Sequence, residues 1–146
     1  MRSPRQLAAI LAGIFALAPV PVAQANMTLG NYSLQIVGRY DFHTWTWAIS
    51  ACPGACVHVN AIAMPVGRAF NYAGDAQLAN GRYTLTVDVP DGLRCDNIYY
   101  GTTIPTHDVY TWDAVTLAGS LESSFDAGCD GAPGGTLTYP FTLSRL

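Results

Sequence analysis

Lysine is absent from this chain, and charged residues of all kinds make up only 12% of it. A disordered tail carries far more charge, and the 50% of residues in the hydrophobic class is enough for a packed core. Acids outnumber bases by 10 to 7, giving a formal net charge of −3, so the basic face that nucleic-acid binding requires is missing. Helical periodicity is nearly absent and no heptad repeat is sustained, which excludes a coiled coil or helical bundle. No apolar run approaches the ~20 residues of a membrane-spanning helix. There is no linker, no clear internal repeat and no low-complexity tract.

What is there begins with a leader. Arg2 and Arg5 precede an apolar run from Leu7 to Ala18, Pro19 and Pro21 follow, and Ala23-Gln24-Ala25 puts small residues at the −3 and −1 positions. That is the layout of a secretory signal peptide over residues 1–25, with cleavage expected between Ala25 and Asn26. No Cys follows the small residues, and Arg2 and Arg5 are not adjacent, so neither a lipid anchor nor the twin-arginine route is indicated. Loss of Arg2 and Arg5 lowers the net charge from −3 by two, to −5. The expected product is one domain, residues 26–146, secreted through the general route to the cell envelope or medium, with no membrane span after processing.

All four cysteines lie in that domain. An even number in an exported chain reads as two disulfides, with three possible pairings. Pro53-Gly54 places a turn between Cys52 and Cys56, favouring local closure. The expected bridges are therefore Cys52–Cys56 and Cys95–Cys129. A redox pair is disfavoured by the C-x3-C spacing and the lack of a βαβ pattern, and an oxidising route disfavours zinc.

Alternation of period two dominates. His43, Trp45, Trp47 and Ile49 share one strand face, with Phe42, Thr44, Thr46, Ala48 and Ser50 on the other. Tyr83, Leu85, Val87 and Val89 repeat the design, as do Leu137, Tyr139, Phe141 and Leu143, with Pro140 on the polar side. Further strands are expected over Asn31–Tyr40, Cys56–Ile62, Asn97–Tyr100, Val109–Trp112 and Thr116–Ser123. Pro90-Asp91-Gly92 reads as a strand end and Phe125–Gly135 as a loop; Met64–Leu78 fits either a short strand around Phe70 and Tyr72 or a helical turn. Eight to nine short antiparallel strands in a meander close as an up-and-down barrel, with an orthogonal β-sandwich as the alternative.

The chain resembles a group of small exported proteins of mycobacteria and related actinobacteria, of unknown function. The resemblance rests on the signal peptide, Thr44-Trp45-Thr46-Trp47 ahead of Cys52 and Cys56, Leu93-Arg94-Cys95, Tyr110-Thr111-Trp112-Asp113, Thr116-Leu117-Ala118-Gly119, Cys129, and Phe141-Thr142-Leu143. It covers most of residues 26–146 and implies export and a β-rich fold, but no reaction.

Catalytic and metal motifs are sparse. His43, His58 and His107 have no metal-ligand spacing, and His107 reads as part of a Thr106-His107-Asp108 turn. Ser120 in Ala118-Gly119-Ser120-Leu121-Glu122 lacks the second Gly of a nucleophile elbow. Asp88, Asp91, Asp96, Asp108 and Asp113 read as turn residues or solvated faces. Asp126 and Asp130 lack EF-hand spacing, and no cofactor motif is found. The aromatic load is the remaining signal. If the rings line a cavity, His43, Trp45, Trp47, Tyr83 and Trp112 are the residues expected to hold an apolar small molecule. The chain is therefore expected to be a non-catalytic binding or interaction module, its partner an apolar small ligand or another protein. The alternatives are a hydrolase-type enzyme built around His43 or His107, and a structural envelope protein without a discrete site.

Overall fold

The computed structural model describes residues 26–39, 43–64, 70–96 and 101–146. They form eight strands: β1 (Gly30–Ile36), β2 (Thr44–Ala51), β3 (Cys56–Met64), β4 (Tyr72–Ala79), β5 (Arg82–Arg94), β6 (Thr103–Asp113), β7 (Ala118–Ala127) and β8 (Pro133–Arg145). A single 3-10 turn, Cys129–Gly131, precedes β8. Each strand pairs antiparallel with the next, and β8 pairs with β1 through Leu34↔Leu143 and Ile36↔Phe141. The sheet is thus a closed meander barrel rather than a sandwich, and closure leaves no strand edge open to aggregation. Both disulfides are those expected, Cys52–Cys56 and Cys95–Cys129.

Alternation decides what enters the barrel. Trp45, Trp47 and Ile49 of β2 point in, as do Tyr83, Leu85, Val87 and Val89 of β5. Trp47 is central: its ring lies 5.1 Å from that of Tyr110, 5.3 Å from Trp112 and 6.1 Å from Phe141, measured between centroids. The contacts with Tyr110 and Trp112 are edge-to-face and that with Phe141 is tilted, and aromatic pairs of this kind each add about 0.5–1.5 kcal/mol beyond the area they bury. Such large rings need small neighbours, and β4 supplies Gly74 and Ala76 on its inner face. A methyl on Gly74 would meet Leu85 Cδ1 at 2.9 Å.

Four sequence expectations are corrected. Met64–Leu78 contributes a full strand, β4, joined to β5 by Asn80-Gly81 with φ of 53° and 75°. Two positive φ values make this the primed turn that matches strand twist. Pro90-Asp91-Gly92 does not end β5; the register shifts between Val89 and Leu93 and the strand continues to Arg94. The missing N–H of exposed Pro90 is tolerated because the ladder is already interrupted there. His107 lies within β6, not in a turn. The loop expected over Phe125–Gly135 shrinks to residues 128–132, with Phe125 and Gly135 already paired. The signal peptide, the Asn97–Tyr100 strand, Phe42 and Tyr40 fall outside the described residues.

The two ends differ. Turns of two to four residues join β2 to β3, β4 to β5 and β6 to β7 at one end. The Asp113 carboxylate accepts the Val115 and Thr116 N–H groups there, both at 2.8 Å, and these bonds hold its pKa below the usual value. Met27 plugs this end: it is buried in the core, and its backbone N–H donates to the Tyr83 hydroxyl at 3.3 Å. The Tyr32 hydroxyl donates to the Thr28 carbonyl at 2.6 Å, fixing the plug from the other side. At the opposite end five to eight residues separate successive strands, and Cys95–Cys129 ties the residue after β5 to the turn before β8.

Candidate functional site: a polar cavity at the loop end

The inner face of β6 changes character along the barrel axis. From the plugged end to the loop end it presents Trp112, Tyr110, Asp108 and Thr106, all buried. The first two belong to the packed rings, while the last two are polar. Cross-strand from Asp108 on β7 stands Ser123, also buried, and its hydroxyl donates to Asp108 Oδ1 at 2.6 Å. Asp108 is 1% exposed, and its Oδ2 has no hydrogen-bond partner among the described residues. Leaving such an oxygen unpaired costs about 1–3 kcal/mol, more for a charged group.

Asp108, Ser123 and Tyr110 line a cavity of about 190 Å³ at the loop end. Tyr72 and Trp45 form its aromatic side, their rings 5.2 Å apart, and His43 lies above them at the start of the β2 face. Arg39, from the segment after β1, and the Asp91–Arg94 stretch of β5 complete the charged part. Arg94 and Asp91 form an ion pair at 3.9 Å. The bulge in β5 is what brings Asp91 and Arg94 over the opening. It requires Gly92, because a Cβ at that position would land on the Thr106 side chain.

A hydrogen-bond chain leads from the core to this cavity. Trp47 Nε1–H donates to the Tyr72 hydroxyl at 3.0 Å, which donates to the Tyr110 hydroxyl, also at 3.0 Å. Burial pushes the Tyr110 phenol up to about 12, against the pull of the nearby Arg39 charge and with a further push from Asp108. Burial, aided by Tyr110, holds Tyr72 well above the usual tyrosine value. Both phenols therefore remain neutral donors at physiological pH.

Of the residues expected to hold a ligand, His43 and Trp45 line this cavity. Trp47, Tyr83 and Trp112 are 0% exposed and belong to the ring cluster, with Tyr83 stacked on Trp112 at 5.3 Å. The space behind Trp47 is filled by Tyr110, Trp112 and Phe141, so these five residues do not enclose one apolar chamber. Asp108 corrects the expectation that the chain's aspartates are turn or solvated residues. Its position two residues before Tyr110 and four before Trp112 places it on their face, a signal already present in the alternation.

Histidine–carboxylate pairs lie on the outer face. His107 Nδ1 is 2.7 Å from Asp88 Oδ1, and Ser124 is the register partner of His107 on the next strand. His58 Nδ1 is 2.8 Å from Asp75 Oδ1, with Ser50 opposite His58. Each therefore forms an Asp–His–Ser row across three strands. The Ser124 hydroxyl, however, pairs with Thr136 Oγ1 at 3.2 Å rather than with His107. The side chains of His107 and Asp88 are 54% and 87% exposed, where an ion pair is worth about 0–1 kcal/mol. Ser120 is paired with Thr111 and Pro140 and with no histidine. Among the described residues, no cluster of three or more His, Cys, Asp or Glu could hold a metal ion, and no helix is long and apolar enough to cross a membrane.

Fold and cavity together define the class as a small closed antiparallel barrel, disulfide-bridged at both ends, with one end packed and the other polar. Comparison of the chain with protein-family models, curated proteins and solved structures returns no match.

Proposed function

We propose that the processed chain is an exported, non-catalytic binding module whose site is the loop-end cavity. The observation that carries this reading is the buried Asp108, which lines a polar cavity in a barrel otherwise filled by rings and has one carboxylate oxygen without a hydrogen-bond partner among the described residues. Stability alone gives no reason to place a carboxylate at a core position, whereas a ligand that donates to it supplies one. The leader-like N-terminus and the two disulfides support an extracellular or envelope setting. The polar wall shifts the expected ligand from an apolar to a polar small molecule. The cavity lies below the ~300 Å³ of drug-sized pockets, so the ligand is compact.

Native mass spectrometry of protein recovered from its own host tests this. A small molecule should accompany the wild-type chain, leave on denaturation, and be retained less by Asp108→Ala. Ligand-free protein in both cases would contradict the reading.

A hydrolase is the second reading, favoured by the Asp88–His107–Ser124 row beside an outer groove lined by Pro90, Pro105 and Phe125. It needs Ser124 to act as nucleophile. A fluorophosphonate probe that labels Ser124, and fails to label after His107→Ala, would establish that reading over the first.

A further inference from the structure

We infer that the loop-end cavity takes a neutral polyol of monosaccharide size, with Asp108 accepting from one ligand hydroxyl and Tyr110 donating to another. This rests on the reading of that cavity as the binding site. Charge is the first observation. Arg39 and Arg94 are balanced on the wall by Asp91 and Asp108, so a ligand with net charge would leave that charge uncompensated in a partly enclosed space.

Hydrogen-bond polarity is the second. Asp108 Oδ2 requires a donor and has none among the described residues. Two residues along the same face, the Tyr110 hydroxyl accepts from Tyr72 at 3.0 Å and from Arg39, so what it has to offer a ligand is its own proton. The wall thus presents an acceptor and a donor about 6.5–7 Å apart along one strand. A hydroxyl serves either role through a single group and adds no charge, whereas a neutral amide divides the two roles between separate atoms. A fatty acyl chain would set methylenes against Asp108 and leave it unpaired, and a simple amine would satisfy Asp108 but upset the charge balance.

Shape is the third. Trp45, set against Tyr72, gives one wall an apolar face on which the C–H side of a sugar ring can lie. Polar groups opposite an aromatic wall suit a ring that is hydroxylated at its edge and apolar on its face.

The test uses the folded, disulfide-intact domain and ligand-observed NMR with glucose, galactose, mannose, arabinose and myo-inositol, compared with serine and decanoate. At least one of the polyols is expected to bind saturably. Asp108→Asn should weaken it about tenfold or more, as expected for losing one hydrogen bond to a charged acceptor. Tyr110→Phe should weaken it too, while Asp88→Asn on the outer face leaves it unchanged. Both cavity variants keep the shape of the side chain, and an unchanged amide spectrum elsewhere establishes that they fold. Binding of serine or decanoate alone, still sensitive to Asp108→Asn, would overturn the ligand class and leave the cavity as the site. No binding across the panel, with no ligand on the host-derived protein, would overturn both.

Discussion

At one end of the barrel Met27 is seated among Tyr83 and Tyr32 beside turns of two to four residues; at the other, where five to eight residues separate successive strands, lies a cavity with a buried carboxylate. One strand serves both. On β6 the same inward alternation that sends Trp112 into the ring cluster sends Asp108 into the cavity. At the plugged end Asp113 caps its turn and the Tyr83 hydroxyl closes on Met27 and Asn26, while the Trp112 indole N–H, packed among rings, has no hydrogen-bond partner among the described residues. The loop end leaves Asp108 Oδ2 and Thr106 Oγ1 without partners among the described residues. The packed end buries rings and leaves one indole N–H unpaired, whereas the loop end leaves a carboxylate oxygen and a hydroxyl unpaired on the wall of a cavity.

The largest effect should come from the packed half. Trp112→Ala removes a fully buried ring stacked on Tyr83 and touching Trp47, and should cost about 3–5 kcal/mol in denaturant unfolding. The two bridges sharpen the contrast. Paired Ser substitution at Cys95 and Cys129, a separation of 34 residues, should cost up to about 4 kcal/mol and release the β5–β6 connection to proteases first. The same change at Cys52 and Cys56, a separation of 4, should cost about 2 kcal/mol or less, since β2 and β3 already pair up to the turn. Equal costs for the two pairs would contradict the loop-length argument.

Met27→Ala should cost about 2 kcal/mol, at the lower end for a buried Met because the plug sits at the margin of the core. Asp108→Asn should change stability by less than about 1 kcal/mol in either direction, since Asn can still accept from Ser123 and a buried acid is removed. A loss as large as that of Met27→Ala would give Asp108 a structural role instead. The smallest effect concerns Asp113. Its pKa is lowered in the fold by the Thr116 and Val115 N–H bonds, so it stabilises above the ordinary carboxylate range and loses that contribution as pH falls through the folded value. Asp113→Ala should therefore lower the unfolding midpoint slightly at neutral pH, and the difference should vanish near pH ~2, measured by urea titration at both.

The barrel was legible because its strands alternate cleanly: Trp45, Trp47 and Ile49, then Tyr83 to Val89, then Phe141 and Leu143 all point where period two places them. β4 was less legible because its inner face carries Gly74 and Ala76, small residues that make room for rings on other strands and erase the hydrophobic contrast. Asn80-Gly81 is the signal that places it, as a two-residue hairpin turn fixes the strand before it as well as the one after. The β5 bulge was hidden because Pro-Asp-Gly is equally good turn chemistry; only the pairing of Leu93 with Ile104 reveals that the strand resumes. The site was half legible. His43 and Trp45 follow from the β2 pattern, but residue type alone suggests a solvated acid at Asp108, although its parity sets it beside Tyr110 and Trp112.

The contrast between the ends is tested most directly by mapping where a bound small molecule is felt. Amide and indole shifts of the labelled, oxidised domain, followed while the best-binding polyol is titrated, should move at Trp45, Asp108, Tyr110 and Ser123 and stay still at Met27, Tyr83 and Ala114. Shifts centred on Met27 and Tyr83, or none at Asp108 and Tyr110 at saturation, would contradict the assignment of packing to one end and binding to the other.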